Sequence, residues 1–197
     1  MARLIHLNGP PGMGKSTLSA RYADRHPGTL NLDVDALHRL VGGWRDEEFD
    51  TWPVVWSLVR AMVTVRLAGG GDVVLPQYLA TVDEIDGLAA LAREQGASFH
   101  EVVLVDGRET AIERFHRRAR DADDEWIRLP QQLIARSGGS AVLGTMYDDL
   151  MRVVRLRPGA VLVPSAAGAV QATYDLLLGA LGRSGSGGPG AARAGGR

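Results

Sequence analysis

The sequence predicts an α/β fold, with a parallel sheet buried on both faces between helices. Three observations carry this. Short, β-branched, mostly apolar runs alternate with helical stretches along the chain. The first apolar run leads directly into Gly9-Pro10-Pro11-Gly12-Met13-Gly14-Lys15-Ser16, a G-x-x-x-x-G-K-[ST] pattern. Gly69-Gly70-Gly71-Asp72 and Arg157-Pro158-Gly159 mark helix-to-strand turns.

Taken in order, strand 4–7 precedes the glycine loop and helix 15–24 follows it. Strand 29–32 leads to a short helix at 36–40 and a longer one at 54–67. Strand 73–75, helix 82–94 and strand 102–105 come next, then helices at 110–119, 131–136 and 146–154. Strand 161–163 and helix 169–181 complete the set. One domain is expected over 1–182, with 183–197 a flexible tail of Gly, Ser, Ala, Pro and Arg.

The glycine loop is the sharpest signal. Lys15 is the only lysine of the 197 residues; every other basic side chain except histidine is arginine. An ammonium is a compact point charge on a flexible stem, whereas a guanidinium is a wide planar fork, and a loop wrapped around phosphates has room for the first. Gly9, Gly12 and Gly14 let the backbone come close to a ligand. N–H groups at the start of the following helix meet an anion at the positive end of its dipole. Gly9, Pro10, Pro11, Gly12, Met13, Gly14, Lys15, Ser16 and Thr17 are therefore the expected nucleoside triphosphate site, with the Ser16 hydroxyl on Mg²⁺.

Composition narrows the rest. The formal net charge is −1, which leaves no basic footprint for nucleic acid. The absence of cysteine excludes disulfides, thiolate metal sites and cysteine nucleophiles. The histidines show no ligand spacing. The longest apolar run is too short to span a bilayer, no signal peptide is expected, and the cytoplasm is the expected location.

A second signal follows the second strand, which is expected to end in Asp33-Val34-Asp35. Residues two apart on a strand face the same side, so both carboxylates would point beyond the carboxyl end of the sheet, where ligands of open α/β sheets lie. One would hold Mg²⁺ through water and the other would accept a proton from an attacking hydroxyl. The alternative is that Asp35 caps the next helix.

The loop followed by Leu32-Asp33-Val34-Asp35-Ala36-Leu37-His38 resembles small P-loop kinases of the gluconate and shikimate kinase type. It is similar also to chloramphenicol phosphotransferase, the zeta toxins, the polynucleotide kinase domain and bacterial AAA-type small-molecule kinases. The resemblance implies the P-loop nucleoside triphosphate hydrolase fold, a five-stranded parallel sheet with helices on both faces. It implies ATP-dependent phosphorylation of a hydroxyl, with ATP and Mg²⁺ as cofactors. On that analogy Asp33 is the metal-side carboxylate and Asp35 binds or deprotonates the acceptor. The acceptor region would be about 36–68 and the lid about 118–140.

Arg114 and Arg118 share a helix face and are similar to the lid arginines of these kinases, which stabilise transition-state charge. The alternative is a solvated basic face balanced by Asp121, Asp123, Asp124 and Glu125. In the acceptor region Trp44, Trp52 and Trp56 accompany Ser57, Arg60 and Thr64, which fall on one helix face. Arg60 is either an acceptor ligand or a surface residue beside core tryptophans. Relatives often carry a carboxylate or serine after the third strand, where this chain has the neutral Gln77. Asp106 reads as a turn residue after the fourth strand. The expected partner is a small-molecule hydroxyl acceptor, without nucleic acid or membrane, and the protein a monomer or homodimer. A nucleotide-dependent switch without a small acceptor is the competing reading.

Overall fold

β1 (Arg3–Asn8) is buried along nearly its whole length and forms the middle of the sheet. A computed structural model describes residues 1–46, 48–120 and 134–184, and the side chains of all but 118–120, 183 and 184 of these. Among them, β1, β2 (Leu30–Asn31), β3 (Val73–Pro76), β4 (Ser98–Val105) and β5 (Val161–Pro164) form one sheet in the order β2-β3-β1-β4-β5. Every neighbouring pair is parallel, with Ile5 opposite Val74 and His100, and Val103 opposite Leu162.

Alternation along the strands feeds two cores. Leu4, Val73 and Leu75 face α3 (Trp52–Ala68) and α4 (Val82–Glu94), meeting Val55, Val59 and Val63 of the first and Ile85 and Leu88 of the second. Ile5, Leu7, Val102 and Leu104 face α1 (Lys15–Arg25) and α7 (Val170–Ser184), meeting Leu18, Tyr22, Tyr174 and Leu177. The remaining helices are α2 (Val34–His38), α5 (Arg108–Arg120) and α6 (Ser140–Leu156). α4 starts at a Thr81 cap whose hydroxyl accepts from Glu84 N and donates to the Glu84 carboxylate. No helix among the described residues is long and apolar enough to cross a membrane.

Several boundaries differ from expectation. β2 is shorter than 29–32, because Asp33 turns the chain into α2. β4 begins at Ser98, extended by pairing with Arg3 and Leu4 of β1. α6 begins at Ser140, six residues before the expected start, and α7 runs to Ser184, past the expected end of order at 182. Residues 131–133 of the expected helix 131–136, the centre of the lid segment and the tail from 185 lie outside the described residues, while 134–136 are helical.

Two ion-pair groups brace the frame. Arg3 grips Asp72 through Nε at 2.9 Å and a terminal nitrogen at 2.6 Å, tying β1 to the turn before β3. Glu101 in β4 accepts from Arg157 Nε at 2.7 Å, and Arg157 also reaches Asp86 of α4 at 2.6 Å. Burial raises the Glu101 carboxyl pKa, and the Arg157 guanidinium opposes that rise.

Candidate functional site

The glycine loop lies between β1 and α1, at the carboxyl edge of the sheet. Its shape depends on two glycines at close approach. Gly9 has φ +144°, and a Cβ there would lie 2.7 Å from the Leu104 carbonyl oxygen of β4. Gly12 has φ +85°, and a Cβ there would lie 2.9 Å from the Phe115 nitrogen of α5. An L side chain at either position would be strained and would displace a neighbouring element. Gly14, also left-handed, occupies the N-cap of α1 and supplies no capping side chain. The N–H groups of the first turn are thus left to a ligand. No acidic residue lies in that turn to compete with an anion.

Lys15 curls back over the loop, donating from Nζ to the Gly9 carbonyl at 2.7 Å and the Pro10 carbonyl at 3.1 Å. Met13 anchors the loop from below: its side chain is fully buried in the α1–α7 core, and its carbonyl accepts from Ser165 Oγ at 3.0 Å. Ser16 is half-buried and Thr17 exposed at the start of α1. The expected phosphate-binding residues are therefore gathered into one nest.

Three anchors were not anticipated from the sequence. Asn8 Oδ1 accepts from Gly9 N at 2.8 Å and Leu79 N at 3.1 Å, while its Nδ2 donates to the Leu79 carbonyl at 2.8 Å. His6 shares a 2.9 Å hydrogen bond between Nε2 and the Gln77 carbonyl. Its imidazole pKa is pushed down to about 4, chiefly by complete burial, with the charges of Lys15 and Arg157 acting in the same direction. A neutral ring must then be the donor, so its proton lies on Nε2. Ser165 is the third anchor. A polar residue ending an apolar strand marked the position of Asn8 without revealing its partners; Ser165 offered no signal.

The carboxylate pair departs from expectation. Asp33, not Asp35, caps α2, its Oδ1 accepting from Ala36 N at 3.1 Å. β2 has already ended at Asn31, so the two carboxylates do not share a strand face: Asp33 is a half-buried cap and Asp35 an exposed residue of the first helical turn. Both remain at the carboxyl end of β2, on the edge that carries the glycine loop. His38, one turn beyond Asp35, packs against Trp52 with ring centroids 4.2 Å apart and planes tilted by 37°, and lies 2.5 Å from Thr51 Oγ1. Burial lowers its pKa, against the charges of Asp35 and Asp50. Trp44 approaches His38 edge-on at 6.3 Å, and a cavity of about 360 Å³ is lined by residues 39–46. Trp56 is half-buried against the core.

Arg60 is exposed on α3, away from the buried stripe of Val55, Val59 and Val63, and no hydrogen bond or ion pair among the described residues joins it to the loop. Arg114 is mostly buried, paired with Asp106 at 3.3 Å and donating to the Ser165 carbonyl. Asp106 is indeed a turn residue, accepting from Gly107 N at 2.8 Å. The Arg118 side chain lies outside the described residues. Among the described residues no group of three His, Cys, Asp or Glu side chains could cage a metal. The Ser16 hydroxyl and the Asp33 carboxylate are oxygen donors of the kind a hard cation takes.

Sheet order, glycine loop and lysine define a P-loop nucleotide-binding protein of the α/β class. The chain belongs to the AAA domain family (AAA_33), which it matches over residues 4–136. No curated protein matches it. Its fold is similar to that of a gluconokinase from Sinorhizobium meliloti 1021, with a TM-score of 0.59 and 22% identity over 91% of each chain. It is similar also to a Deinococcus radiodurans tunicamycin resistance protein, with a TM-score of 0.58 and 17% identity over 92% of this chain and 96% of that one. A chain of the Pnkp1/Rnl/Hen1 RNA repair complex is similar over 79% of this chain and 46% of that one, with a TM-score of 0.59 and 15% identity.

Proposed function

We propose that the protein transfers the γ-phosphate of ATP to a hydroxyl of a small molecule, with Mg²⁺. The observation that carries this is a Lys15 nest and an Asp33/Asp35 helix start on one edge of the sheet. A likeness in fold to a gluconokinase supports it. The competing reading, a nucleotide switch without a small acceptor, leaves Asp33 only its capping bond and gives Asp35 no part in the chemistry.

In this reading the acceptor oxygen attacks the γ-phosphorus. The bond from that phosphorus to the β,γ-bridging oxygen breaks, ADP leaves, and the hydroxyl proton passes to the Asp35 carboxylate. Lys15 exchanges its carbonyl partners for phosphate oxygens and stabilises the charge they gather. Bound Mg²⁺ supplies further charge neutralisation, held by the Ser16 hydroxyl and, through water, by Asp33. Arg118 is assigned to the transferring phosphoryl group; Arg114 would join it only by giving up Asp106. Arg60 and residues 39–46 are the assigned acceptor surface.

The test is ADP release across sugars, sugar acids, nucleosides and antibiotics, with Lys15→Ala as the blank. One acceptor class should raise release above that blank. With that acceptor, Asp35→Asn should lose about 10²–10⁴-fold in turnover while ATP affinity holds. Asp33→Asn should instead raise the Mg²⁺ requirement. Equal turnover in Lys15→Ala and the parent protein would overturn the assignment.

A further inference from the structure

β3 lies between β2, which leads to Asp33, and β1, which leads to the glycine loop. The chain leaving its carboxyl end reads Gln77-Tyr78-Leu79. The chain around Gln77 is fastened at several points. Its own carbonyl is held by His6, both polar backbone groups of Leu79 are held by Asn8, and the Tyr78 hydroxyl donates to the Met146 carbonyl at 2.9 Å. The same Asn8 oxygen holds Gly9 N, so this segment and the nest share one fastening.

The Gln77 side chain stands apart from this. It is half-buried, and its amide makes no hydrogen bond among the described residues. A solvated glutamine at a strand end is ordinary, but the support beneath it is not. His6 is fully buried to hold the Gln77 carbonyl, and its Nδ1 is left without a partner. A buried polar atom without a partner is destabilising. The fold accepts that cost to fix a two-residue connection that water could otherwise have solvated. The Gln77 carbonyl is thus fastened to a ring of β1, the strand that runs into the nest.

We propose that the Gln77 amide binds and orients the attacking oxygen, between the phosphate nest and Asp35; this rests on the phosphotransfer reading above. The amide NH₂ donates to the attacking oxygen and the amide oxygen accepts from a neighbouring hydroxyl, which leaves the proton of the attacking hydroxyl for Asp35. Being neutral, it takes no proton and competes for no metal. Asp35 remains the proton acceptor, and Gln77 fixes the direction of attack.

Water serves as the probe nucleophile. ADP release without added acceptor is compared in the parent protein, Gln77→Ala and Gln77→Asn, alongside the affinity for a fluorescent ATP analogue and the Mg²⁺ midpoint of its binding. Asn keeps the amide but withdraws it by one methylene, so both variants should slow release about threefold to tenfold, the value of one hydrogen bond. Analogue affinity, Mg²⁺ midpoint and melting temperature should stay at parent values. Parent-rate hydrolysis in both variants, or a shifted Mg²⁺ midpoint, would overturn the assignment. The phosphotransfer reading fails on a different result, undiminished turnover in Lys15→Ala, so the two failures are separable.

Discussion

Buried His6 makes the stability of the fold depend on pH in a calculable way. Its folded-state pKa is about 4, against an ordinary 6.5. As pH falls below 6.5 the unfolded chain takes up a proton on this ring while the folded chain refuses it until about 4. The stabilisation is complete above 6.5 and is lost as pH falls to about 4, an amount of about 3 kcal/mol for full burial. Glu101, register partner of His6 on β4, acts in the opposite sense. Its raised pKa contributes stability that is present below its unfolded value and lost as pH rises through the folded one. The two overlap, so the His6 share must be isolated by difference. Urea unfolding at several values between about pH 4 and 7.5 is compared for the parent protein and His6→Gln, which keeps a donor for the Gln77 carbonyl but cannot titrate. The parent should lose about 3 kcal/mol more than the variant across the window. Parallel curves would refute the reasoning.

Two further perturbations probe the frame of the nest. Asn8→Ala leaves Gly9 N, Leu79 N and the Leu79 carbonyl without partners in a buried place, and should lower stability by about 3 kcal/mol or more in urea unfolding. Gly12→Ala places a methyl 2.9 Å from Phe115 N at φ +85°, and should weaken binding of a fluorescent ATP analogue by about tenfold or more, measured by titration.

The fold was legible because its strands are apolar runs of the right length and its first loop carries a motif with a physical mechanism. β1, β3 and β5 fall within a residue or two of their expected positions for that reason. β2 and the start of β4 were harder: Asp33 ends the one by capping a helix, and pairing with β1 lengthens the other beyond its apolar stretch. Lys15 and its glycines could be read from local chemistry alone. The carboxylates could be located but not oriented, since period-two reasoning holds only while the strand lasts. His6, Asn8, Ser165 and the Arg114–Asp106 pair depend on contacts across the fold, which a single sequence does not display.

The bond from Ser165 to the Met13 carbonyl joins positions 152 residues apart. It has a consequence for biosynthesis. The motif leaves the ribosome well before Ser165 does, yet one of its props belongs to the loop after β5, and the core that receives Met13 includes Tyr174 and Leu177. A nascent chain released with only its N-terminal half would carry the entire phosphate-binding signature and still lack the floor beneath it. Nucleotide capture therefore belongs to the end of folding rather than its beginning, and gain of nucleotide affinity would report that the C-terminal helix has docked.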